Sequence, residues 1–254
     1  GRDGNILEDS AENCRVLKID NPILSGTDLL KIKNIKIIGF KSAIIPITYY
    51  IGTSLEKAVE QLFIEADKAY REGANILILS DRNVDEYHAA MPSLLAVSAL
   101  HQHLVDTKKR TKVAMILESA EPREVHHFAA LLGYGASAVN PYLAHETIHN
   151  LIENGLLDKD FYAAEDDYDQ AVLKGIVKIA SKMGISTIQS YQASRLFEAV
   201  GISSAVIDRY FRGTVSRIGG ITLSDISRQI ESLHNAAYDP LRLSVNTQPE
   251  SSGS

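Results

Sequence analysis

His145-Glu146-Thr147-Ile148-His149 is a formal H-E-x-x-H. On a helix this spacing puts two imidazoles one turn apart, able to grip zinc while the glutamate activates a bound water. Glu165 follows at a distance that can supply a third ligand. The competing expectation is structural. The motif occupies the first turns of a crossover helix whose buried face is assigned to Ile148, Leu151 and Ile152, with the histidines flanking that face. Nothing else in the sequence resembles a metalloprotease, so a zinc hydrolase stands as the lesser alternative. Glu124-x-x-His127 and Glu146-x-x-His149 repeat the Glu-x-x-His unit of di-iron bundles, but that site needs four facing helices, which the alternating strand pattern opposes.

Glu118, Glu121, Arg123, Glu124, His126 and His127 form the densest ionisable cluster, where a strand end meets a helix start. Carboxylates near a helix N-terminus are stabilised by its dipole, and Arg123 is placed to pair with one of them. Such a cluster serves either a polar pocket or interdomain contact, or a charged network that fixes the strand-to-helix turn; the network is the favoured reading. Gly213-Thr214-Val215-Ser216-Arg217-Ile218-Gly219-Gly220 offers backbone amides, a serine hydroxyl and Arg217 to a phosphate. It is not a P-loop, and Gly219-Gly220 also reads as a simple turn. Gly133-Tyr134-Gly135 lacks the third glycine of a dinucleotide fingerprint and reads as the end of a helix.

These residues need elements to hold them. The first thirty residues are polar and irregular, with a short helix expected from Ser25 or Thr27 after the Asn21-Pro22 turn signal. Ile35 to Tyr49 is β-rich, interrupted near Lys41-Ser42 and at Pro46, and predicts one or two strands. Thr53 and Glu56 form a capping box for a helix carrying Leu55, Val59, Leu62, Ala66 and Ala69, ended by Gly73. Ala74 to Leu79 reads as a strand buried on both faces. The unit recurs: a helix from Pro92 to Asp106, a strand from Lys112 to Leu117, a helix with Pro122 in its first turn, a strand from Ala136 to Asn140, and a helix from Ala144 to Asn154. After an acidic connection at 158–167 come a helix ending at Gly184, a short strand Ile185 to Ile188, a short helix Gln192 to Val200, an apolar stretch Ser204 to Ile207, and a last helix from Thr222 with Asp225.

Repeated helix-to-strand units predict a parallel sheet with helices packed outside it. Periodicity leaves an open doubly wound sheet and a partial (β/α) barrel both standing. In either, a ligand sits at the carboxyl ends of the strands, which assigns Ser80, Asp81, Arg82, Glu118, Ser119, Asn140, Gln189 and Ser190 to that end.

The 254 residues suffice for one α/β domain with a sizeable core. With 32 acidic against 26 basic side chains the formal charge is −6, which opposes a nonspecific nucleic-acid binder. The Lys108-Lys109-Arg110 run reads as a solvated helix C-terminus. No apolar run is long enough for a membrane span and no secretory signal is visible. The single cysteine, Cys14, excludes an internal disulfide or a cysteine-held cluster within this sequence, and fits a reducing compartment.

Glu118-Ser119-Ala120-Glu121-Pro122-Arg123-Glu124-Val125-His126-His127-Phe128 and Ser181-Lys182-Met183-Gly184-Ile185-Ser186-Thr187-Ile188-Gln189-Ser190-Tyr191 closely resemble segments of the central domain of the glutamate synthase large subunit. Gly4-Asn5-Ile6-Leu7 with Cys14-Arg15, Asn21-Pro22-Ile23-Leu24, and Gly213 to Ile221 fall in the same order as in that family. The resemblance runs over about residues 4 to 238, and a collinear set of matches is far more specific than any single one. It implies a reduced or partial TIM-barrel-like domain related to the barrels of FMN-linked oxidoreductases. The domain expectation is an irregular lead-in at 1–33, a central α/β domain at 34–240 and a linker or tail at 241–254.

The resemblance further implies a parent enzyme that makes L-glutamate from L-glutamine and 2-oxoglutarate with FMN and a 3Fe-4S cluster. Its partners would be the amidotransferase and FMN synthase domains of the same chain. The expected role here is a non-catalytic scaffold that helps hold the ammonia path, with no cofactor or metal of its own, no nucleic acid and no membrane. The family's catalytic cysteine opens the mature chain; this sequence opens Gly1-Arg2, and Cys14 lies in the lead-in. Glu118, Arg123, Glu124, His126, His127, Gln189, Ser190 and Arg217 are therefore expected as pocket or interdomain contacts, and an isolated copy as prone to self-association. A flavin- or phosphate-binding module is the alternative. The compartment expected is the cytoplasm, or a plastid for a plant or algal source.

Overall fold

The computed structural model describes residues 16–238. The Gly4-to-Leu7 and Cys14-Arg15 matches and the 241–254 tail lie outside the described residues. The expected parallel sheet is present as four strands, β1 (Ser42–Pro46), β3 (Ile76–Ser80), β5 (Ala114–Glu118) and β6 (Ala138–Asn140), lying side by side in chain order. Pro46 is tolerated because β1 is the edge strand. Two shorter strands, β2 (Thr48–Tyr50) and β4 (His88–Ala90), pair antiparallel beside it.

Strand alternation divides the sheet into two faces. The register row Ile45, Leu79, Leu117, Val139 faces the large core, built with α2 (Leu55–Arg71), α3 (Ser93–Asp106) and α4 (Val125–Gly133). The row Ile44, Ile78, Ile116, Ala138 faces the other way. There Ile78, Ile116 and Ala138 pack with Leu24, Leu29 and Ile32. The three crossovers thus lie on one face, and the strand order contains no reversal. The result is a mixed α/β fold around a parallel four-stranded sheet.

Within residues 16–33 the short helix expected from Ser25 or Thr27 is present. Ser25 caps α1 (Gly26–Lys33) by accepting from the Asp28 amide, and Leu29 and Ile32 cover the second face of the sheet. Residues 22–24 run beside β6, where Leu24 N donates to Val139 O at 2.8 Å and Val139 N to Pro22 O at 2.8 Å. The first helix of the core is capped by Ser54, one residue after the expected Thr53. Pro122 precedes α4 rather than opening it, since Glu124 is the capping position.

The second half departs further from the sequence reading. Asp160 caps α6 (Phe161–Lys182), so most of the acidic connection is helix. Ile185 to Ile188 is not a strand: Thr187 accepts from the Ser190 amide and starts the one-turn helix α7 (Ile188–Tyr191). The expected helix from Gln192 is broken by left-handed backbone at Ala193 (φ 59°) and Arg195 (φ 54°), after which β7 (Glu198–Ile202) begins. Ser204 to Tyr210 is helix α8, connecting β7 to the parallel β8 (Val215–Ile221). The expected phosphate cradle is therefore largely strand, and a Cβ on Gly220 would lie 2.3 Å from the Gly201 carbonyl, so glycine there permits β7 and β8 to approach. Helix α9 (Leu223–Tyr238) starts as expected, with Thr222 and Asp225 capping each other.

Candidate functional site

The carboxyl ends of β3, β5 and β6 converge as the sequence predicts. Because side chains alternate, Ser80, Glu118 and Asn140 fall on the same face as Ile78, Ile116 and Ala138 and look toward α1. Lys33, at the end of α1, places Nζ 2.9 Å from both Glu118 oxygens. Ser80 Oγ donates to Glu118 at 2.7 Å and Arg82 Nε at 2.9 Å. Burial would raise the Glu118 pKa, but donors from Lys33, Ser80 and Arg82 outweigh it and hold the carboxyl below its usual range. Arg82 extends the network outward, donating to Glu146 at 3.2 Å and stacking 3.9 Å from the Tyr142 ring centroid. Asn140 donates to Leu24 O at 2.7 Å and ties the lead-in to the same end.

The next residues along β3 and β5 turn to the helix face. Asp81 accepts from Ser119 Oγ at 2.6 Å and from the Ala120 amide at 2.9 Å, and Ser119 meets Ser93 at the start of α3 at 2.6 Å. Burial pushes the Asp81 carboxyl up against those hydrogen bonds. Glu121 accepts from the Ser93 amide at 2.7 Å. The turn after β5 is thus fixed by a bonded network, the structural alternative weighed for this segment.

A cleft of about 480 Å³ opens over this end, lined by Lys33, Arg82, Glu118, Tyr142, His145 and Glu165 among others. His145 is the buried residue of α5 (Tyr142–Glu153), which corrects the expected buried face of Ile148, Leu151 and Ile152. Its Nε2 lies 2.9 Å from Asp169 Oδ1 and its Nδ1 3.1 Å from Glu165 Oε1, both acids on α6. His149 stands apart and pairs with Glu153 at 3.2 Å. The one group among the described residues able to surround a cation is His145, Glu165 and Asp169. Glu165 was expected only as a third ligand beside His145 and His149; Asp169 was missed, although its i+4 spacing from Glu165 puts both on one face of α6.

The other expected contacts scatter. Arg123, Glu124 and His126 line a separate shallow groove with Tyr168, whose hydroxyl donates to Arg123 O at 2.9 Å. His127 Nδ1 accepts from the Arg123 and Glu124 amides at 3.1 and 3.3 Å and closes the first turn of α4. The partners of Glu118 are therefore Lys33 and Arg82 rather than Arg123. Gln189 and Ser190 are not at the carboxyl end of the sheet. They sit on α7, and Gln189 borders a cleft at the opposite end with Asn75, Ile76, Ala114 and Ser137. Arg217, on β8, is largely exposed and lies 3.5 Å from Glu198. Of the basic run at 108–110, Lys108 is exposed, whereas Lys109 pairs with Asp67 at 2.7 Å and Arg110 donates to His101 Nδ1, Val113 O and Gly135 O.

No helix among the described residues is long and apolar enough to cross a membrane. The glutamate synthase central domain matches residues 1–203. The chain is 47% identical over 238 residues to the NADPH glutamate synthase large chain of Bacillus subtilis (strain 168), covering 94% of this chain and 16% of that relative. It is 40% identical over 245 residues to the NADH glutamate synthase of Schizosaccharomyces pombe, covering 94% and 12%. It is 37% identical over 254 residues to ferredoxin-dependent glutamate synthase 2 of Synechocystis sp., covering 94% and 16%. The chain thus spans between 12% and 16% of the length of these relatives. With the family match running through the sheet, the network at its carboxyl end and β7, the chain belongs to the glutamate synthase central-domain family.

Proposed function

We propose that this chain is the positioning domain of a glutamate synthase large chain, holding an amidotransferase domain and an FMN synthase domain in register and helping to hold the ammonia path between them. The parent would make L-glutamate from L-glutamine and 2-oxoglutarate, using FMN and a 3Fe-4S cluster held elsewhere in its chain. A small neutral intermediate is lost to water unless two reaction centres are fixed relative to each other, and a rigid spacer supplies that fixation.

The observation that carries the reading is that the polar groups at the sheet mouth are bonded to one another. In an FMN-linked barrel the carboxyl ends of the strands receive the cofactor. Here the corresponding polar groups are spent on one another, Glu118 on Lys33, Ser80 and Arg82, and Asp81 on Ser119 and Ala120. A reduced relative of such a barrel fits four parallel strands in chain order with their crossovers on one face. The apolar side chains presented by β7 and β8, Val200, Val215 and Ile218, are the surface this reading gives to a neighbouring domain.

The test is FMN titration of the isolated chain under thermal melting, with a parallel assay for glutamine hydrolysis. The positioning role predicts no shift and no ammonia release. A stoichiometric FMN shift abolished by Arg82→Ala would replace it with a flavin-binding module.

A further inference from the structure

The buried trio of His145, Glu165 and Asp169 stands outside the Glu118 network, and its geometry is unlike that of an ordinary ion pair. Glu165 and Asp169 are one turn apart on α6 and face α5. The Asp169 contact, 2.9 Å from Nε2, has hydrogen-bond geometry. A carboxylate on Nε2 places the ring proton there and leaves Nδ1 as a lone pair. That Nδ1 is buried and has no hydrogen-bond partner, although Glu165 Oε1 lies only 3.1 Å away.

A lone pair and a carboxylate oxygen do not face each other at this distance without a proton or a metal ion between them. Two ligand atoms each ~2.1 Å from one zinc ion are about 3.0 to 3.4 Å apart for angles between ~90° and ~110°. The contact falls inside that range. A carboxylate on the far nitrogen is also the arrangement that orients a metal-bound imidazole and raises its basicity. The cleft beside it supplies room for water ligands, and its acids Glu118, Glu146 and Glu165 outnumber the cations Lys33 and Arg82.

We propose that His145 Nδ1 and the Glu165 carboxylate bind a divalent transition-metal ion of the zinc type, with Asp169 holding the imidazole and water completing the coordination. One nitrogen with carboxylate and water oxygens suits a borderline ion; calcium asks for six to eight oxygens. Glu165 lines the cleft beside Gly26 and Thr27 at the start of α1. The ion would therefore clamp α5 and α6 together over the cleft, a structural task independent of the positioning role. This replaces the expectation of no metal ligand in the chain, and it differs from the H-E-x-x-H reading because His149 is outside the set.

The experiment is zinc chloride titration of the chelator-stripped chain by calorimetry and thermal melting. The proposal predicts one equivalent bound, and a melting temperature raised by about 5 to 10 °C at a hundredfold excess over Kd. His145→Ala and Glu165→Gln should abolish both signals, Asp169→Asn should weaken binding roughly 10- to 100-fold, and His149→Ala should leave it unchanged. If His145→Ala fails to fold, Glu165→Gln with unchanged far-ultraviolet circular dichroism carries the test. Absence of binding at millimolar zinc overturns the site, as does binding that survives Glu165→Gln. Loss of binding in His149→Ala with retention in Glu165→Gln would move the ion to the H-E-x-x-H pair and overturn it equally.

Discussion

The two parallel sheets of this molecule are built to different standards. Strand β3 is buried at every residue, and its neighbours share two packed cores. The β7–β8 pair has the same parallel logic and a helical crossover, yet β8 is exposed along nearly its whole length, with Val215 and Ile218 55% and 60% accessible. A two-stranded sheet is marginal by itself. The first sheet is a finished interior, whereas the second leaves apolar side chains exposed.

The largest expected effect lies in the finished sheet. Leu117→Ala removes a wholly buried side chain from β5 and should cost ~2 to 5 kcal/mol, while Val200→Ala on exposed β7 should stay within about 0.5 kcal/mol. Urea denaturation of the two variants measures the contrast, and equal losses would break it. Next is the charged network. Glu118→Gln should cost roughly 1 to 3 kcal/mol, because Lys33 and Arg82 lose a buried anionic acceptor, whereas Arg217→Ala, whose ion pair is solvated, should be nearly silent.

A smaller and sharper effect is pH dependence. His101 is buried beside Arg110, and burial followed by that guanidinium lowers its pKa to about 4. The unfolded chain binds a proton near pH 6.5 while the folded chain does not, so the contribution is complete above about pH 6.5 and lost as pH falls toward 4. Urea midpoints over that range should fall with acidification, and less steeply in a folded His101→Gln variant. Equal slopes in the two proteins would remove His101 from the account.

The same contrast explains what the sequence disclosed. The strands β3, β5 and β6 are short apolar runs preceded by helices, of which α2 is strongly amphipathic and α3 buried over most of its length, so burial and spacing announce them. Their carboxyl ends were therefore legible, and Ser80, Asp81, Arg82, Glu118, Ser119 and Asn140 meet where expected. In the second half the signals are local. Left-handed backbone at Ala193 and Arg195, non-glycine positions, breaks what the pattern reads as a helix, and the capping side chain of Thr187 starts a turn of helix where the pattern reads the end of a strand. Gln189 and Ser190 were consequently placed at the wrong end of the sheet. The partner of Glu118 was missed for another reason: Lys33 comes from the lead-in, and its contact spans 85 residues. His145 looked like half of a histidine pair, because no periodicity shows that α5 would bury a histidine in preference to its leucines and isoleucines.

The most direct measurement is the amount of glutamate formed per glutamine hydrolysed by a full-length glutamate synthase large chain carrying this domain, with Val200→Asp and Ile218→Asp introduced on the β7–β8 surface. A positioning domain predicts that glutamine hydrolysis persists while the ratio falls and ammonia escapes to solution. An unchanged ratio at unchanged turnover would contradict the assignment of that surface and, with it, the role of this domain in holding the two centres together.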